Sequence, residues 1–303
     1  MYKFFVTRVQ ISQTSVNKYF ICAVFLLSNN VFAGKQALNL PQQSAVPGGI
    51  VNLEFSMDVP CDAYTVTHLP KAYFNDKQVL VIPKNNCEYI AVIGLPLDTK
   101  PGEYNLNYYD LNKKLVKLKF DVANKDYKTS TITIKNNNMV EPDPKTLARI
   151  TSDQIKITKA TAWTSNLPDS IVLNAPVPGV RTTSFGSRRI INNISKNPHT
   201  GMDIAAKTNT KVFAAADGQV VLAENFYLPG NMVGINHGSG LITLYAHLNS
   251  IKVKVGQTVK AGELIGLVGS TGRVTGPHLH WAVKLNQAAI DPELFLKQDT
   301  YNG

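Results

Sequence analysis

Between Leu115 and Val122 the chain reads LVKLKFDV, with Val116, Leu118, Phe120 and Val122 at every second position and Lys117, Lys119 and Asp121 between them. Residues two apart share one face of a strand, so this pattern suits a half-buried strand and gives a helix no apolar side. The same alternation runs through NLEFS, where Leu53 and Phe55 stand among polar neighbours. It recurs in EYNLNYY, with Tyr104, Leu106 and Tyr108 on one face. Pro, Gly and Asn break these runs at short intervals. From Gly48 to about Ile134 the chain is therefore expected to form a small β-sandwich. His68 stands alone there, and an isolated histidine is usually structural or solvated.

NNNMVEPDP, Asn136 to Pro144, has the composition of a linker. The segment after it, TLARITSDQIKITKATAW, lacks a helix breaker and carries Leu147, Ile150 and Ile157 at helical spacing, which predicts one weakly amphipathic helix. LPDSIVLNAPVPG marks a second boundary near residues 167–179. From Arg181 onward strands return. VFAAADGQVVLAE reads as a hairpin turning on Asp217-Gly218. In LITLYAHL, Ile242, Leu244 and Ala246 face one way and Thr243, Tyr245 and His247 the other. Glycines 256, 262, 266 and 269 punctuate short apolar pairs, as tight turns in a compact β-structure require. The expected fold is mainly β: residues 1–33 a signal peptide, 34–135 an N-terminal sandwich-like domain, 136–179 a linker with a helix, and 180–303 a second β-domain.

The first of these assignments rests on Lys18, the apolar run YFICAVFLL and the small residues Val31 and Ala33. Basic, apolar and small-residue regions in that order describe a secretory signal, although the n-region is long and an uncleaved anchor is the alternative. The apolar run is well short of the roughly 18 residues that a spanning helix needs. Export leaves Cys61 and Cys87 as an even pair in an oxidising compartment. A disulfide between them is expected, with two buried free thiols as the other reading. Cys22 leaves with the signal. The 303 residues carry a net charge of +10, and removal of Lys3, Arg8 and Lys18 with the signal leaves +7. An excess of that sign suits nucleic acid, anionic lipid or an acidic cell-wall polymer, or simply keeps the chain soluble.

Five of the six histidines fall within 82 positions of the second β-domain. In GPHLHW, His278 and His280 share one strand face while Leu279 points away. PHTGMD places His199 four residues before Asp203, with Gly201 between them to let the backbone aim both side chains at one point. His247 projects from the Thr243–Tyr245 side of its strand. Imidazole nitrogen and carboxylate oxygen are both good zinc donors. Each fragment alone recurs by chance, and a lone His247 would more often be a satisfied surface residue. Their joint occurrence points to a metal site.

At this point the sequence resembles the M23 (lysostaphin/LytM-type) zinc peptidases, which cut peptidoglycan crosslinks. The similar stretches are SFGSRR, HTGMDIAA, VFAAADGQV, GNMVGINHGSG, TLYAHL, VGQTVKAGELIGLVGSTGRVTGPHLHW and the late Asp291-Pro292. Together they cover about residues 180–296. VPGGIV and GLPLDTKPGEY resemble the domain found ahead of some exported members. The resemblance implies a C-terminal antiparallel β-sheet peptidase domain with one zinc per chain. By position, His199 and Asp203 match the first two zinc ligands and His280 the third. His247 and His278 match the two histidines that line the site without binding metal, and His237 matches a turn position.

Three protein ligands leave a fourth position for water, the arrangement of a catalytic site. The chain has no H-E-x-x-H glutamate to act as base, so His247 and His278 are expected to share the acid–base work and oxyanion stabilisation. The implied partner is peptidoglycan, with D-alanyl–diaminopimelate bridges cut in the periplasm of a Gram-negative bacterium. No nucleic acid and no stable membrane insertion after signal cleavage are implied. The resemblance to multidomain members also implies that the N-terminal domain restrains the groove, so a chain beginning near Ser165 is expected to be more active. The alternative is a non-catalytic LytM-type activator of another hydrolase, against which the complete ligand set stands. A biotinyl- or lipoyl-type carrier, suggested only by VKVGQTVKAGELIG, has no use for clustered metal-type residues.

Overall fold

The computed structural model describes residues 39–57, 69–85 and 87–297. The proposed signal segment, Cys22, Cys61 and His68 lie outside the described residues. Seven strands come first: β1 Ile50–Ser56, β2 Ala72–Phe74, β3 Lys77–Gln78, β4 Leu80–Pro83, β5 Glu88–Gly94, β6 Gly102–Tyr109 and β7 Leu115–Val122. They form two sheets of order β1-β5-β4 and β3-β2-β6-β7, and every ladder is antiparallel. The alternation read in β7 turns Leu118 and Phe120 onto a core shared with Phe74 and Leu106. β5 is different. EYIAVIG is buried along almost its whole length: Tyr89, Ala91 and Ile93 enter the sandwich core, while Ile90 and Val92 enter the second core described below. A strand covered on both faces requires such a continuous apolar run.

Two elements then lead away from the sandwich, β8 Thr129–Ile132 and the helix α1 Pro144–Ala160. Asp143 caps α1 by accepting the Thr146 N–H at 2.7 Å, and Pro144 sits where a missing N–H costs nothing. Ile157, its one buried residue, packs on Leu222, Phe226, Met232 and Ala246. Among the described residues no helix is long and apolar enough to cross a membrane.

The remaining strands are β9 Val180–Thr183, β10 Arg188–Ile191, β11 Ile194–Lys196, β12 Met202–Ala205, β13 Lys211–Phe213, β14 Gly218–Phe226, β15 Gly230–Gly238, β16 Leu241–Ile251, β17 Thr258–Val259, β18 Leu264–Val268, β19 His278–Leu285 and β20 Ala288–Ile290. The main sheet runs β17-β14-β15-β16-β19-β12-β9, with β13, β18 and β20 attached. One face carries Ile204, Val233, Ile235, Tyr245, Leu279, Trp281 and Val283 into the largest core. The opposite face, which holds Leu244, Ala246, His280 and Ala282, opens on a cleft. β8 pairs in parallel with β10, from Thr129 opposite Arg188 to Ile132 opposite Ile191, so the chain leaving the sandwich lays down one rim of that cleft.

The largest core is built by both sheet systems. Ile50, Leu80, Ile82, Ile90 and Val92 join it from the sandwich. The side chain of Asn286, in the turn between β19 and β20, clasps Gly94 of β5: its Oδ1 accepts the glycine N–H at 2.7 Å and its Nδ2 donates to the carbonyl at 2.9 Å. The described residues all belong to one compact unit.

One expected hairpin is absent. β13 pairs with β18 and β14 with β15 and β17, so the strands flanking Asp217-Gly218 do not pair with each other. A two-residue type I′ hairpin needs left-handed backbone at both turn positions, and neither Asp217 nor Gly218 has it. Asp217 instead accepts from the Ala261 N–H at 2.7 Å and Lys260 Nζ at 2.6 Å. Gly218 serves close approach, since a Cβ there would lie 2.6 Å from the Asn236 carbonyl oxygen.

Candidate metal centre

β12 and β19 pair antiparallel with Asp203 opposite His280 and Ala205 opposite His278, and β19 pairs on its other side with β16, His280 opposite Ala246. Residues 203, 278 and 280 therefore emerge on the cleft face. His199 arrives from the segment just before β12, anchored by its N–H to the Ser187 carbonyl at 2.9 Å and by the Gly186 N–H to its own carbonyl at 2.8 Å. Gly201 is needed for its size: a Cβ there would lie 2.6 Å from the Trp281 carbonyl oxygen and 2.7 Å from the His280 ring.

Three donor atoms converge. His199 Nε2 lies 3.0 Å from Asp203 Oδ1, His280 Nδ1 lies 2.9 Å from the same oxygen, and the two nitrogens are 3.0 Å apart. His199 Nδ1 donates to the Ser184 carbonyl at 3.1 Å, which leaves a lone pair on its Nε2. That lone pair meets a carboxylate oxygen, a repulsive encounter unless a proton or a cation lies among the three atoms. Donors held about 2.0–2.1 Å from one tetrahedral ion would stand roughly 3.3 Å apart, so this triangle fits such an ion with little adjustment. Burial alone would raise the Asp203 pKa, but the hydrogen bonds and charges of His199 and His280 outweigh it and hold the carboxyl far below the usual range. Burial pushes His280 down, against the pull of Asp203.

The other two histidines flank this triangle. His278 gives its Nδ1–H to the Gly276 carbonyl at 2.9 Å and points Nε2 toward Asp203 Oδ1, 3.7 Å away. His247 gives its Nδ1–H to the Thr271 carbonyl at 2.8 Å. Their ring centroids are 4.9 Å apart, and that of His247 is 5.8 Å from that of His280. In the neutral ring, this Nδ1–H tautomer puts the free lone pair on Nε2. Burial, followed by the charges of His280 and His278, pushes His247 down to about 3, so it stands neutral.

His247 does not keep the alternation of its strand. Thr243 and Tyr245 are buried in the main core, and strict period two would send His247 there with them. Between the pairs Asn231–Leu248 and Val233–Tyr245, one residue of β15 faces two of β16, a bulge at Ala246–His247. His247 takes φ +63° and sends its N–H to the Pro229 carbonyl at 2.9 Å. An extra residue in left-handed backbone re-aims the side chain, which places His247 on the cleft face beside Ala246. His237 lies on the opposite face, its Nδ1 donating to the Asp217 carbonyl at 2.7 Å and its Nε2 2.8 Å from Thr243 Oγ1.

The cleft has a volume of about 450 Å³. Among the described residues its walls come from β16, β19, residues 273–275 and β10, and also from Ser130, Ile132, Gln154 and Ile157 of β8 and α1. Strands β1–β7 contribute nothing to it. Two lining residues carried no assignment from the sequence: Arg189, whose Nη2 is 3.9 Å from Asp203 Oδ2, and Arg273, which donates to the Met139 carbonyl at 3.1 Å. Both lie inside the stretches SFGSRR and GSTGRVTG, where periodicity gave them no distinguishing mark.

The profile of peptidase family M23 matches residues 197–292, and that of the peptidase family M23 N-terminal domain matches residues 43–125. A crystal structure of a putative peptidase M23 from Pseudomonas aeruginosa is 33% identical and superposes with a TM-score of 0.68 over 84% of this chain and 95% of that one. The chain belongs to peptidase family M23. Among curated M23 relatives, the peptidoglycan DD-endopeptidase ShyA of Vibrio cholerae is 46% identical over 102 residues, 33% of this chain and 24% of that protein. The DD-carboxypeptidase/endopeptidase Mpg of Neisseria meningitidis is 47% identical over 94 residues, 31% of this chain and 22% of that protein. The matched segments thus span about a quarter of the length of these relatives. The family match, residues 197–292, includes the stretch from His199 to His280.

Proposed function

We propose that this chain is a zinc-dependent endopeptidase that hydrolyses peptide crosslinks of peptidoglycan, D-alanyl–diaminopimelate bridges in particular. The observation that carries the reading is the convergence of His199 Nε2, Asp203 Oδ1 and His280 Nδ1 within 3.0 Å, flanked by two imidazoles whose Nδ1 atoms are each held by a backbone carbonyl. Two imidazole nitrogens and one carboxylate oxygen suit zinc better than a hard cation such as magnesium or calcium. A bound zinc would supply an acidified water and a polarised substrate carbonyl. The chain's own part is proton transfer. His278, whose Nε2 faces Asp203, and His247, held neutral by burial, take the proton from the attacking water and return it to the leaving amine. The carbonyls of Gly276 and Thr271 fix both tautomers, so neither ring must flip to act.

The reading extends to the protein's location. Peptidoglycan lies outside the cytoplasmic membrane, which fits residues 1–33 as a signal peptide, a periplasmic mature protein and a Cys61–Cys87 disulfide. Cys87 is buried. Any restraint on the cleft comes from the segment of β8 and α1, which borders it, and not from strands β1–β7.

Digestion of diaminopimelate-type peptidoglycan by the protein from Gly34 onward, with products identified by mass spectrometry, tests the proposal. Crosslinked dimers should shorten to monomers, stop doing so with a chelator, and resume with zinc. No cleavage by a protein that holds zinc would overturn this bond as the substrate. No cleavage and no zinc would leave the activator.

A further inference from the structure

The cleft is lined by three cations, Arg189, Arg273 and Lys284, against one carboxylate, Asp203. That carboxylate is already engaged, since its Oδ1 faces three imidazoles. Arg189 reaches only the outer oxygen, at 3.9 Å, with its side chain 22% exposed. The Arg273 guanidinium donates to the Met139 carbonyl at 3.1 Å. Lys284 lies on the same face of β19 as His278, His280 and Ala282, and spends its ammonium on the Thr161 hydroxyl at 3.0 Å. Among the described residues, two guanidinium groups thus stand in one partly desolvated wall, Arg189 sharing the Asp203 carboxylate with the histidines and Arg273 having no carboxylate within ion-pair distance. Burial and the neighbouring Arg189 charge both act against Arg273. Such an arrangement costs free energy in the empty cleft and is relieved by an anion. A guanidinium's planar fork matches a carboxylate two bonds at a time.

We propose that Arg189 and Arg273 form a subsite for a free carboxylate of the substrate peptide, close to the bond that is cut. This inference deepens the proposed peptidase reading and rests on it for the nature of the ligand. Because Arg189 lies 3.9 Å from Asp203, the carboxylate it receives belongs to the residue at the scissile bond or the one next to it. The pair is therefore a specificity determinant. It favours crosslinks whose flanking residue keeps its carboxyl group over those in which that group is amidated.

Two synthetic crosslinked peptides, identical except for carboxylate or carboxamide at that residue, test the idea. Calorimetric titration of the metal-free protein should show the carboxylate peptide bound about 10- to 100-fold more tightly. The preference should shrink as salt is raised. Arg273→Gln should bring the two affinities within about threefold, at unchanged zinc content in the reloaded protein, whereas Arg273→Lys should keep part of the preference. In the zinc-loaded protein the same preference should appear in KM more than in kcat. Equal affinity of the two peptides for the wild-type protein would overturn the subsite without recourse to any variant. So would an Arg273→Gln protein that weakens both peptides alike. Preferential binding without hydrolysis of either peptide would sustain the subsite and sink the peptidase reading.

Discussion

His199 and His237 are both buried, and each gives its Nδ1–H to a backbone carbonyl, that of Ser184 for one and Asp217 for the other. They differ at the second nitrogen. His237 Nε2 meets the Thr243 hydroxyl at 2.8 Å, a neutral group that can donate to it. His199 Nε2 meets a carboxylate oxygen and another imidazole nitrogen, both at 3.0 Å. The first imidazole is complete as it stands, whereas the second is one of three electron-pair donors facing a common point. Burial therefore does not separate a structural histidine from a functional one. The supply of protons around its second nitrogen does.

The sharpest way to break this comparison is to remove each kind of histidine and ask what is lost. His280→Ala should lose the metal, read by elemental analysis, and with it all activity above background. His278→Ala and His247→Ala should keep zinc and lose turnover by about 10²-fold or more. Loss of metal from all three would end the division between ligands and proton carriers.

His237→Ala should do the reverse. It strands the Asp217 carbonyl, leaves the Thr243 hydroxyl with Tyr245 as its remaining partner and opens a cavity, at a cost of about 2–4 kcal/mol of stability, while zinc content is unchanged. Burial pushes the folded pKa of His237 down to about 4, from an ordinary value of 6.5. Between those two pH values the unfolded chain binds a proton there that the folded chain refuses. Its contribution to stability is thus fully present above about pH 6.5 and falls by about 3 kcal/mol as the pH drops toward 4. Denaturant titrations of wild type and His237→Asn across this range should diverge by that amount. Parallel curves would show that His237 does not titrate differently on folding.

The smallest expected effect concerns the bulge. With φ at +63°, position 247 suits glycine better than alanine. His247→Gly should be more stable than His247→Ala by about 1 kcal/mol, and both should be equally inactive. Equal stability would mean that the bulge relaxes once the imidazole is gone.

Much of this site was legible in the chain. The pair His278 and His280 follows from strand period alone, and the spacing of His199 to Asp203 marks a second pair of donors. The place of His247 was not legible. Period two assigns it to the face of Thr243 and Tyr245, and nothing in LITLYAHL announces an extra residue, since the bulge uses neither Gly nor Asn. The lost hairpin at Asp217-Gly218 has a related cause: a local turn signal was overridden by the pairing of β13 with the distant β18. The continuous apolar run YIAVIG did carry the mark of a strand covered on both faces. Reading it fully required knowing what lay on its far side. The two arginines were invisible because their meaning depends on which groups surround them in the cleft, a property of space and not of sequence.

The core shared between β4, β5 and the main sheet has a bearing on how the protein would evolve or be cut. Ile50, Leu80, Ile82, Ile90 and Val92 together bury apolar surface worth about 1.5–3 kcal/mol each, on the scale of a whole domain's net stability. A chain beginning near Ser165 would leave their partners bare. Its expected fate is aggregation, not release from restraint. The cleft is therefore no portable module: melting of the outer sheet would carry the metal-binding strands with it in one cooperative step.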